Sequence, residues 1–426
     1  MITTDNHKAA KHSRHDQILD SAVLHLTNFG LGTATLPEIA ACMGMTRSAL
    51  YYYAKSKEDL VYQTYKRSCD ILAEEAEAAA SLAGSAPDRL EAFITKVTSR
   101  PNTDIIAFNE LGVLSSEQQG AVLAQYQRTV DALSTVIRIG KDNGEFRQFD
   151  AQIAAHAIIS IVQYLTLLNR WAESGSASGA PTMSNRPAGL VAGIVDLLLN
   201  GWATDRSRAV RLDLIDLTPL YELPQSAFDR DGLARAKRAE ILTTASRMFN
   251  RSGVSSTTLD EIAAELGATK RTLYNYVGDK QAILSACHAR ARRVTLYLYD
   301  QYAAALAAGK EPLDAHVNHV RSAVLAVCDP QLEPLRVAVG LPEILSTEPE
   351  EYLEFARNVT EQWYGAHGAL MSADLLRMSD PDMLGFAHLG SINWLAKGLV
   401  QINPSERVHV VSEVIDLLRL GLKPIR

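Results

Sequence analysis

Residues 18–60 read ILDSAVLHLTNFGLGTATLPEIAACMGMTRSALYYYAKSKEDL, and residues 241–283 read ILTTASRMFNRSGVSSTTLDEIAAELGATKRTLYNYVGDKQAI. A shift of 223 positions lays one on the other without a gap, with identities at Ala22/Ala245, Gly30/Gly253, Thr35/Thr258, Ile39/Ile262, Ala40/Ala263, Gly44/Gly267, Thr46/Thr269, Leu50/Leu273, Tyr51/Tyr274, Tyr53/Tyr276 and Lys57/Lys280. Apolar residues recur at helical spacing and are interrupted by turn chemistry. A first helix is expected over about Arg14–Asn28, with Ile18, Leu19, Ala22, Val23 and Leu26 as its apolar stripe and Gly30 as its stop. Thr35 can cap a second helix, with Glu38 three residues on, running to Met43 and broken at Gly44. Thr46 caps a third helix ending near Tyr53, and Ser56-Lys57-Glu58-Asp59 opens a long fourth to about Ala80. Thr258, Gly267 and Thr269 repeat these roles between Arg235 and about Ala305. Ile39, Ala40 and Leu50 would pack the second helix on the third across the Gly44 turn, the spacing of a helix-turn-helix.

The rest of the chain repeats more faintly. Leu114-Ser115-Ser116-Glu117 resembles Leu345-Ser346-Thr347-Glu348, and Val195–Leu199 resembles Ile415–Arg419, followed by Gly201 and Gly421 respectively. A strongly apolar helix precedes each of the latter pair, over His156–Trp171 and Ala387–Val400. The duplicated unit is therefore a whole helical domain of about 200 residues, a period too long for a solenoid. The division expected is a head at 1–60, a helical body at 61–203, a linker at 204–233, a second head at 234–283 and a second body at 284–426. In the linker Pro219 and Pro224 flank Leu220–Leu223 and periodicity fails. Extended, thirty such residues reach about 100 Å, enough to cross a body and set one head beside the other. Leu212, Leu214, Ile215, Leu217, Leu220 and Tyr221 predict that the linker lies against a surface.

The net charge is −7, but residues 1–67 carry +2 and residues 230–293 carry +6, which leaves −15 for the remainder. Basic heads on acidic bodies suit a protein that meets phosphate through two defined surfaces. Cys42, Cys69, Cys287 and Cys328 form no metal or disulfide pattern and read as reduced thiols. The polar stretch Met1–Ser13 lacks a secretory apolar core, and Ile153–Leu168, which contains His156 and Gln163, falls short of a membrane span. A cytoplasmic protein with no membrane contact is expected. Paired catalytic carboxylates, a His/Cys metal cluster, a nucleophile elbow and a phosphate-binding loop are all missing, so neither an enzyme nor a cofactor is expected.

Thr35, Ile39-Ala40, Gly44, Thr46, Leu50-Tyr51, Tyr53 and Lys57, followed by a long helix, closely resemble the TetR family of repressors, as do Thr258, Ile262-Ala263, Gly267, Thr269, Leu273-Tyr274, Tyr276 and Lys280. One departure is shared: Ala54 and Val277 stand where the family has Phe, so packing of the third helix on the fourth must be compensated. The resemblance implies an all-α fold of two units, each a helix-turn-helix head on a helical effector and dimerisation body. It implies phosphate contacts from Thr35, Thr46, Tyr51 and Lys57, and from Thr258, Thr269, Tyr274 and Lys280, which set register. Base edges would be read by Arg47, Ser48, Ala49 and Tyr52 in one head and by Lys270, Arg271, Thr272 and Asn275 in the other. Arg and Lys suit guanine and Asn suits adenine, so the differing sets predict an operator with unequal half-sites. The plainer reading of Tyr51, Tyr53, Tyr274 and Tyr276 is core aromatics, and of Arg47, Lys270 and Arg271 solvated surface charge.

The same resemblance implies a small-molecule effector in each body and a four-helix interface between the halves, here an intramolecular pseudo-dimer. Pocket candidates are Phe93, Phe108, Tyr126, His156, Tyr164 and Trp171, and in the second half Tyr352, Phe355, Trp363, Tyr364, His388 and Trp394. Aromatics at helical spacing also simply pack cores. The function expected is a ligand-responsive, double-stranded-DNA-binding regulator, a repressor. An architectural DNA binder without an effector, and a homodimer with four heads, are the alternatives.

Overall fold

The computed structural model describes residues 14–33, 35–101, 103–108, 111–173, 189–222, 229–336, 339, 341–378, 380–397, 399–400 and 402–425. The first half runs α1 (Arg14–Thr33), α2 (Leu36–Cys42), α3 (Arg47–Tyr51), α4 (Lys57–Ser81), α5 (Ala86–Thr98), a 3₁₀ turn at Leu111–Val113, α6 (Ser116–Asp142), α7 (Ala151–Glu173) and α8 (Leu190–Asn200). The second runs α9 (Arg230–Ser252), α10 (Leu259–Glu265), α11 (Lys270–Tyr276), α12 (Lys280–Ala307), α13 (Pro312–Val327), α14 (Leu341–Thr347), α15 (Pro349–Ser372), α16 (Pro381–Ala396) and α17 (Arg407–Leu420). Element follows element in the same order, with α14 standing where the first half has its 3₁₀ turn. The fold is all-α; among the described residues the β geometry is one isolated bridge between Ala203 and Leu376.

The heads form for local reasons. Thr35 Oγ1 accepts from the Glu38 N–H (3.4 Å) while the Glu38 carboxylate accepts from the Thr35 N–H (3.0 Å). Thr258 and Glu261 repeat that reciprocal cap at 3.2 and 2.7 Å. Thr46 and Thr269 accept from Ala49 N and Thr272 N, each at 3.2 Å. The turn between helices needs a left-handed residue, and Gly44 (φ 63°) and Gly267 (φ 60°) supply it. Ile39, Ala40 and Leu50 are buried, as are Ile262, Ala263 and Leu273. One expectation fails. Gly30 does not end its helix, since α1 continues to Thr33, whereas Gly253 does stop α9 at φ 80°. A glycine permits a stop without imposing one.

The halves meet along four helices: α7 packs on α16 and α17, and α8 packs on the same two. The contact is reciprocal at the ends of α8 and α17. Trp202 N–H donates to Leu418 O (3.0 Å) and Leu422 N–H donates to Leu198 O (2.9 Å). Gly201 and Gly421 allow the close approach. Both have positive φ (71° and 65°), and a Cβ on Gly201 would fall 2.3 Å from Arg419 O. An isologous contact of this kind is the signature of a two-fold relation. A continuous core joins the first head, the first body and the α13, α16 and α17 faces of the second, while the second head has its own core around Ile241, Phe249, Ile262, Leu273 and Ile283.

The linker is a strap laid on the second body. Main-chain N–H groups of Arg211, Asp213 and Ile215 donate to the side chains of Asp314 (3.3 Å), Asn318 (3.0 Å) and Ser322 (2.9 Å) on α13. Two extended residues advance about 6.6 Å and four helical residues about 6 Å, so alternate strap amides stay in register with every fourth helix residue. Farther along, Leu220 packs on Val294, Leu298, Ala326 and Leu332, and Tyr221 donates to Asp329 (2.6 Å).

Candidate nucleic-acid interface

The caps and the Gly turns hold α3 and α11 against the heads by one side chain each, Leu50 and Leu273, both fully buried. The remaining faces point out. Arg47, Ser48, Ala49 and Tyr52 are exposed on the first head, Tyr52 to 87%. Lys270, Arg271 and Asn275 are exposed on the second, with Thr272 half-buried. Thr35, Thr46, Tyr51, Thr258, Thr269 and Tyr274 are exposed around these helices, and Lys57 and Lys280 are half-buried where α4 and α12 begin. The core alternative fits Tyr53 and Tyr276, which pack against their head cores, and does not fit Tyr51 and Tyr274. Ala54 is buried within the first head and Val277 lies against the core of the second.

The charges in the two heads are held differently. Arg47 folds back on Tyr51, donating from Nη2 to the phenol oxygen (2.7 Å), with its guanidinium 5.2 Å from the ring centre. Lys270 pairs with Asp260 (3.0 Å), which raises the ammonium pKa. Both arrangements are exposed, and such pairs exchange readily for phosphate or base partners.

An arginine absent from the sequence expectations latches the first head to its body, and its counterpart holds the corresponding loop of the second. Arg67 donates to Asp20 (2.8 Å) on α1 and to Thr103 O (2.6 Å) in the loop after α5. Arg290, 223 positions on, donates to Gln331 O (2.7 Å) in the loop after α13. The signal was present as a further identity at the same shift. The second head also touches the first body: a Cβ on Gly112, in the 3₁₀ turn, would meet Ser252 Oγ at the end of α9 at 2.3 Å.

Within the bodies the pocket candidates divide. Phe108 lies edge-on to Tyr65 (5.4 Å) and Tyr126 (5.9 Å), the Tyr126 hydroxyl meets His156 Nδ1 (3.0 Å), and His156 stacks on Trp394 of the other half (4.6 Å). Burial lowers the His156 pKa to about 4. Phe93 is buried in the same core, and Tyr164 is half-buried where Gly390 of α16 approaches α7. Trp363 and His388 lie 5.8 Å apart in a second group. Tyr352 and Tyr364 lie elsewhere. Tyr352 belongs to the core of the second head, where α15 passes it. Tyr364 is exposed and donates to Asp382 (2.6 Å). Phe355 is half-buried eight positions before Trp363, and the Trp171 side chain lies outside the described residues. Among the described residues no group of three His, Cys, Asp or Glu could hold a metal ion, and no helix is long and apolar enough to cross a membrane.

Comparison with known proteins agrees with the motif. The family profile described as "Bacterial regulatory proteins, tetR family" matches residues 18–63 and 241–287, and "Tetracyclin repressor-like, C-terminal domain" matches 83–172. No curated protein matches the chain. Similar solved structures include AibR in complex with isovaleryl coenzyme A and operator DNA (20% identity, 43% of this chain and 97% of that one, TM-score 0.36). A tetR-family regulatory protein from Rhodococcus RHA1 (25%, 44% and 95%, 0.37) and the fatty acid degradation regulator FadR from Bacillus halodurans (22%, 45% and 97%, 0.35) are others. Each relative is spanned almost whole by under half of this chain. The chain belongs to the TetR family of bacterial regulatory proteins and carries two of the family's N-terminal units.

Proposed function

We propose that this DNA-binding transcriptional regulator is an effector-responsive repressor whose two heads grip one operator as an intramolecular pseudo-dimer. The observation that carries the reading is the reciprocal seam between α8 and α17, which occupies within one chain the surface a partner subunit would need. Two heads that contact successive major grooves must hold their recognition helices about 34 Å apart. An effector that binds better to a body with another spacing weakens DNA binding by its differential affinity for the two states. The heads at 1–60 and 234–283 act on DNA, the bodies at 61–203 and 284–426 receive the effector, and 204–233 joins them. Thr35, Thr46, Tyr51 and Lys57, with Thr258, Thr269, Tyr274 and Lys280, hold phosphates. Arg47, Ser48, Ala49 and Tyr52 read one half-site, and Lys270, Arg271, Thr272 and Asn275 read a different one.

Selection of bound duplexes from a random pool, combined with light scattering of the complex, tests both parts. The expected result is one chain per duplex on a non-palindromic site. Arg47→Ala should relax one half of that site and Arg271→Ala the other, each by about 1–3 kcal/mol. A strict palindrome bound by two chains would refute the pseudo-dimer and leave a four-headed homodimer.

A further inference from the structure

The first head carries a nucleophile, a base and an orienting carboxylate at one edge, outside the residues assigned to DNA contact. Cys42, the last residue of α2, is exposed, and its Sγ meets Nδ1 of His25 on α1 at 4.0 Å. On the far side of that ring, Nε2 lies 3.7 Å from a carboxylate oxygen of Glu38. Glu38 is itself pinned. The same oxygen accepts from the Thr35 N–H (3.0 Å) and hydroxyl (2.7 Å), which hold its carboxyl below the ordinary range and so ionised. A carboxylate beside Nε2 fixes the proton there and leaves the Nδ1 lone pair turned toward the thiol. The His25 side chain is 10% exposed, so the relay sits in the crevice between α1 and α2 with the sulfur at its mouth. A nucleophile within reach of a base that a third group orients is an arrangement that activates thiols, and its distances are commonly loose before a reactant is present.

The second head has the same crevice without this chemistry. At the shift of 223, His25 falls on Met248 and Cys42 on Glu265. Glu265 pairs there with Arg247 (3.4 Å), whose counterpart is Leu24, so an ordinary ion pair ties α9 to α10. In the first head Leu24 is 41% exposed. The other thiols are set apart as well. Cys69 and Cys287 are buried and Cys328 is half-buried, and burial pushes all three thiols up, Cys287 and Cys328 to about 11. Thiols held protonated in this way are poor nucleophiles. Cys42 alone is exposed with a base at hand.

The same facts narrow the reactant. Thiolate sulfur is a soft nucleophile, and an oxidised Cys42 would face only buried or half-buried thiols as disulfide partners. Addition to an electron-poor C=C bond needs no second thiol. Leu24 stands where the second head places the partner of Glu265, which gives Cys42 an apolar neighbour suited to an uncharged carbon compound. We propose that Cys42 is a modification site for α,β-unsaturated carbonyl compounds and that its alkylation disables the first head. His25 Nδ1 takes the thiol proton, and sulfur bonds to the β-carbon while the C=C electron pair shifts to leave an enolate. The imidazolium then returns the proton to the α-carbon. Every atom of the reactant stays on the protein, and neither an oxidant nor a leaving group is involved. The thioether lies immediately before the Met43–Gly44 turn that sets α3 on α2. It occupies the crevice that braces α2 on α1 and draws His25 away from Glu38, the residue that completes the α2 cap. The operator then keeps the second head alone. This last step rests on the reading of both heads as gripping one operator; the addition itself does not.

The test follows the intact mass of the full chain in methyl vinyl ketone, with ethyl methyl ketone as the saturated control, and operator affinity in parallel. One fast adduct should form, mapped to Cys42, and none with the saturated ketone. Cys42→Ser should take no fast adduct and should bind operator equally with and without the reagent. His25→Gln keeps a polar side chain in the crevice and should slow the addition at least about tenfold. Free imidazole should restore part of that rate, which a mere packing role for His25 would not allow. Glu38→Gln keeps a hydrogen-bonding cap, removes the charge and should slow the addition several-fold. The adduct should weaken operator binding at least about tenfold. Addition as fast in His25→Gln as in the unaltered chain would overturn the relay, and equal labelling of Cys328 would overturn the selectivity. An adduct at Cys42 with undiminished operator affinity would overturn the switch. Oxidation of Cys42 by hydrogen peroxide, with methyl vinyl ketone leaving it untouched, would overturn the reactant class. If the untreated chain binds no operator, the two-headed reading fails, while the labelling rates still decide whether Cys42 is the site.

Discussion

Arg147 and Arg377 mirror one another across the seam. Arg147 donates from its main-chain N–H to Leu422 O (2.8 Å) and from Nε to Gly421 O (2.7 Å), while Arg377 donates from its N–H to Trp202 O (2.9 Å) and from Nε to Gly201 O. Each half thus clamps the last turn of the other, and each clamp satisfies carbonyls that a helix end leaves without partners. Arg147→Ala and Arg377→Ala should lower stability by similar amounts, about 1.5–3 kcal/mol, because each bond is charge-assisted. Gly201→Ala should cost on the order of 3 kcal/mol, since φ is positive and backbone lies where the methyl group would go. Urea unfolding gives these values. With both partners in one chain the midpoint should not depend on protein concentration, and a midpoint that rises with it would put the seam between chains.

Arg67 and Arg290 make a second matched pair, with a different task. Arg67 joins α1 to the loop behind α5, and Arg290 holds the loop behind α13 through Gln331 O, the carbonyl to which Thr243 of α9 also donates (3.3 Å), so a movement of either loop reaches the head beside it. Arg67→Ala should cost about 1.5–3 kcal/mol and free the first head to move independently. Hydrogen exchange should then quicken across α1–α3 and leave α9–α11 unchanged, and Arg290→Ala should do the reverse. Equal loosening of both heads by either variant would show that the latch is only a packing contact.

The heads were legible in the sequence because what shapes them acts over three or four residues. Thr35 caps through Glu38, Thr46 through Ala49, and Gly44 turns because it lacks a Cβ. The seam role of Arg147 was not legible, because the carbonyls it holds across the seam lie more than 260 positions away and nothing in its own neighbourhood names them. His316 was missed for another reason. Aromatic side chains drew the reading, whereas the buried polarity of α13, where His316 and His319 lie one turn apart, went unread.

Four histidines predict acid sensitivity. Burial lowers the pKa of His156, His288, His319 and His388 to about 4, from an ordinary value of 6.5. For a base with a depressed folded-state pKa the unfolded chain binds more protons, so stability rises with pH through the window between the two values. It is fully present above about pH 6.5 and declines below it, by up to about 1.4 kcal/mol per pH unit for each histidine. The melting temperature should therefore fall steeply between pH 7 and pH 5, and His156→Phe should flatten part of that fall. A melting temperature constant across this range would mean these imidazoles are not neutral in the folded protein.

The two heads should also differ in how salt affects them. If the chain neutralises about eight phosphates, log affinity against log salt has a slope near −7. In the second head Asp260 holds Lys270 at 3.0 Å and sets a negative charge beside the reading face. That exposed pair contributes little to stability, so Asp260→Ala should leave folding intact and release Lys270 to DNA. Affinity should rise about two- to fivefold, and the slope should steepen by up to about one as a further counterion is displaced. Tyr51→Phe is the control in the first head. It removes the hydroxyl that holds Arg47 and serves as a proposed phosphate donor, but no charge. Affinity should fall a few-fold at every salt concentration with the slope unchanged, because a neutral donor displaces no counterion. A slope that moves with Tyr51→Phe and not with Asp260→Ala would reverse these assignments, making Tyr51 the organiser of the charge that meets phosphate and Lys270 a bystander.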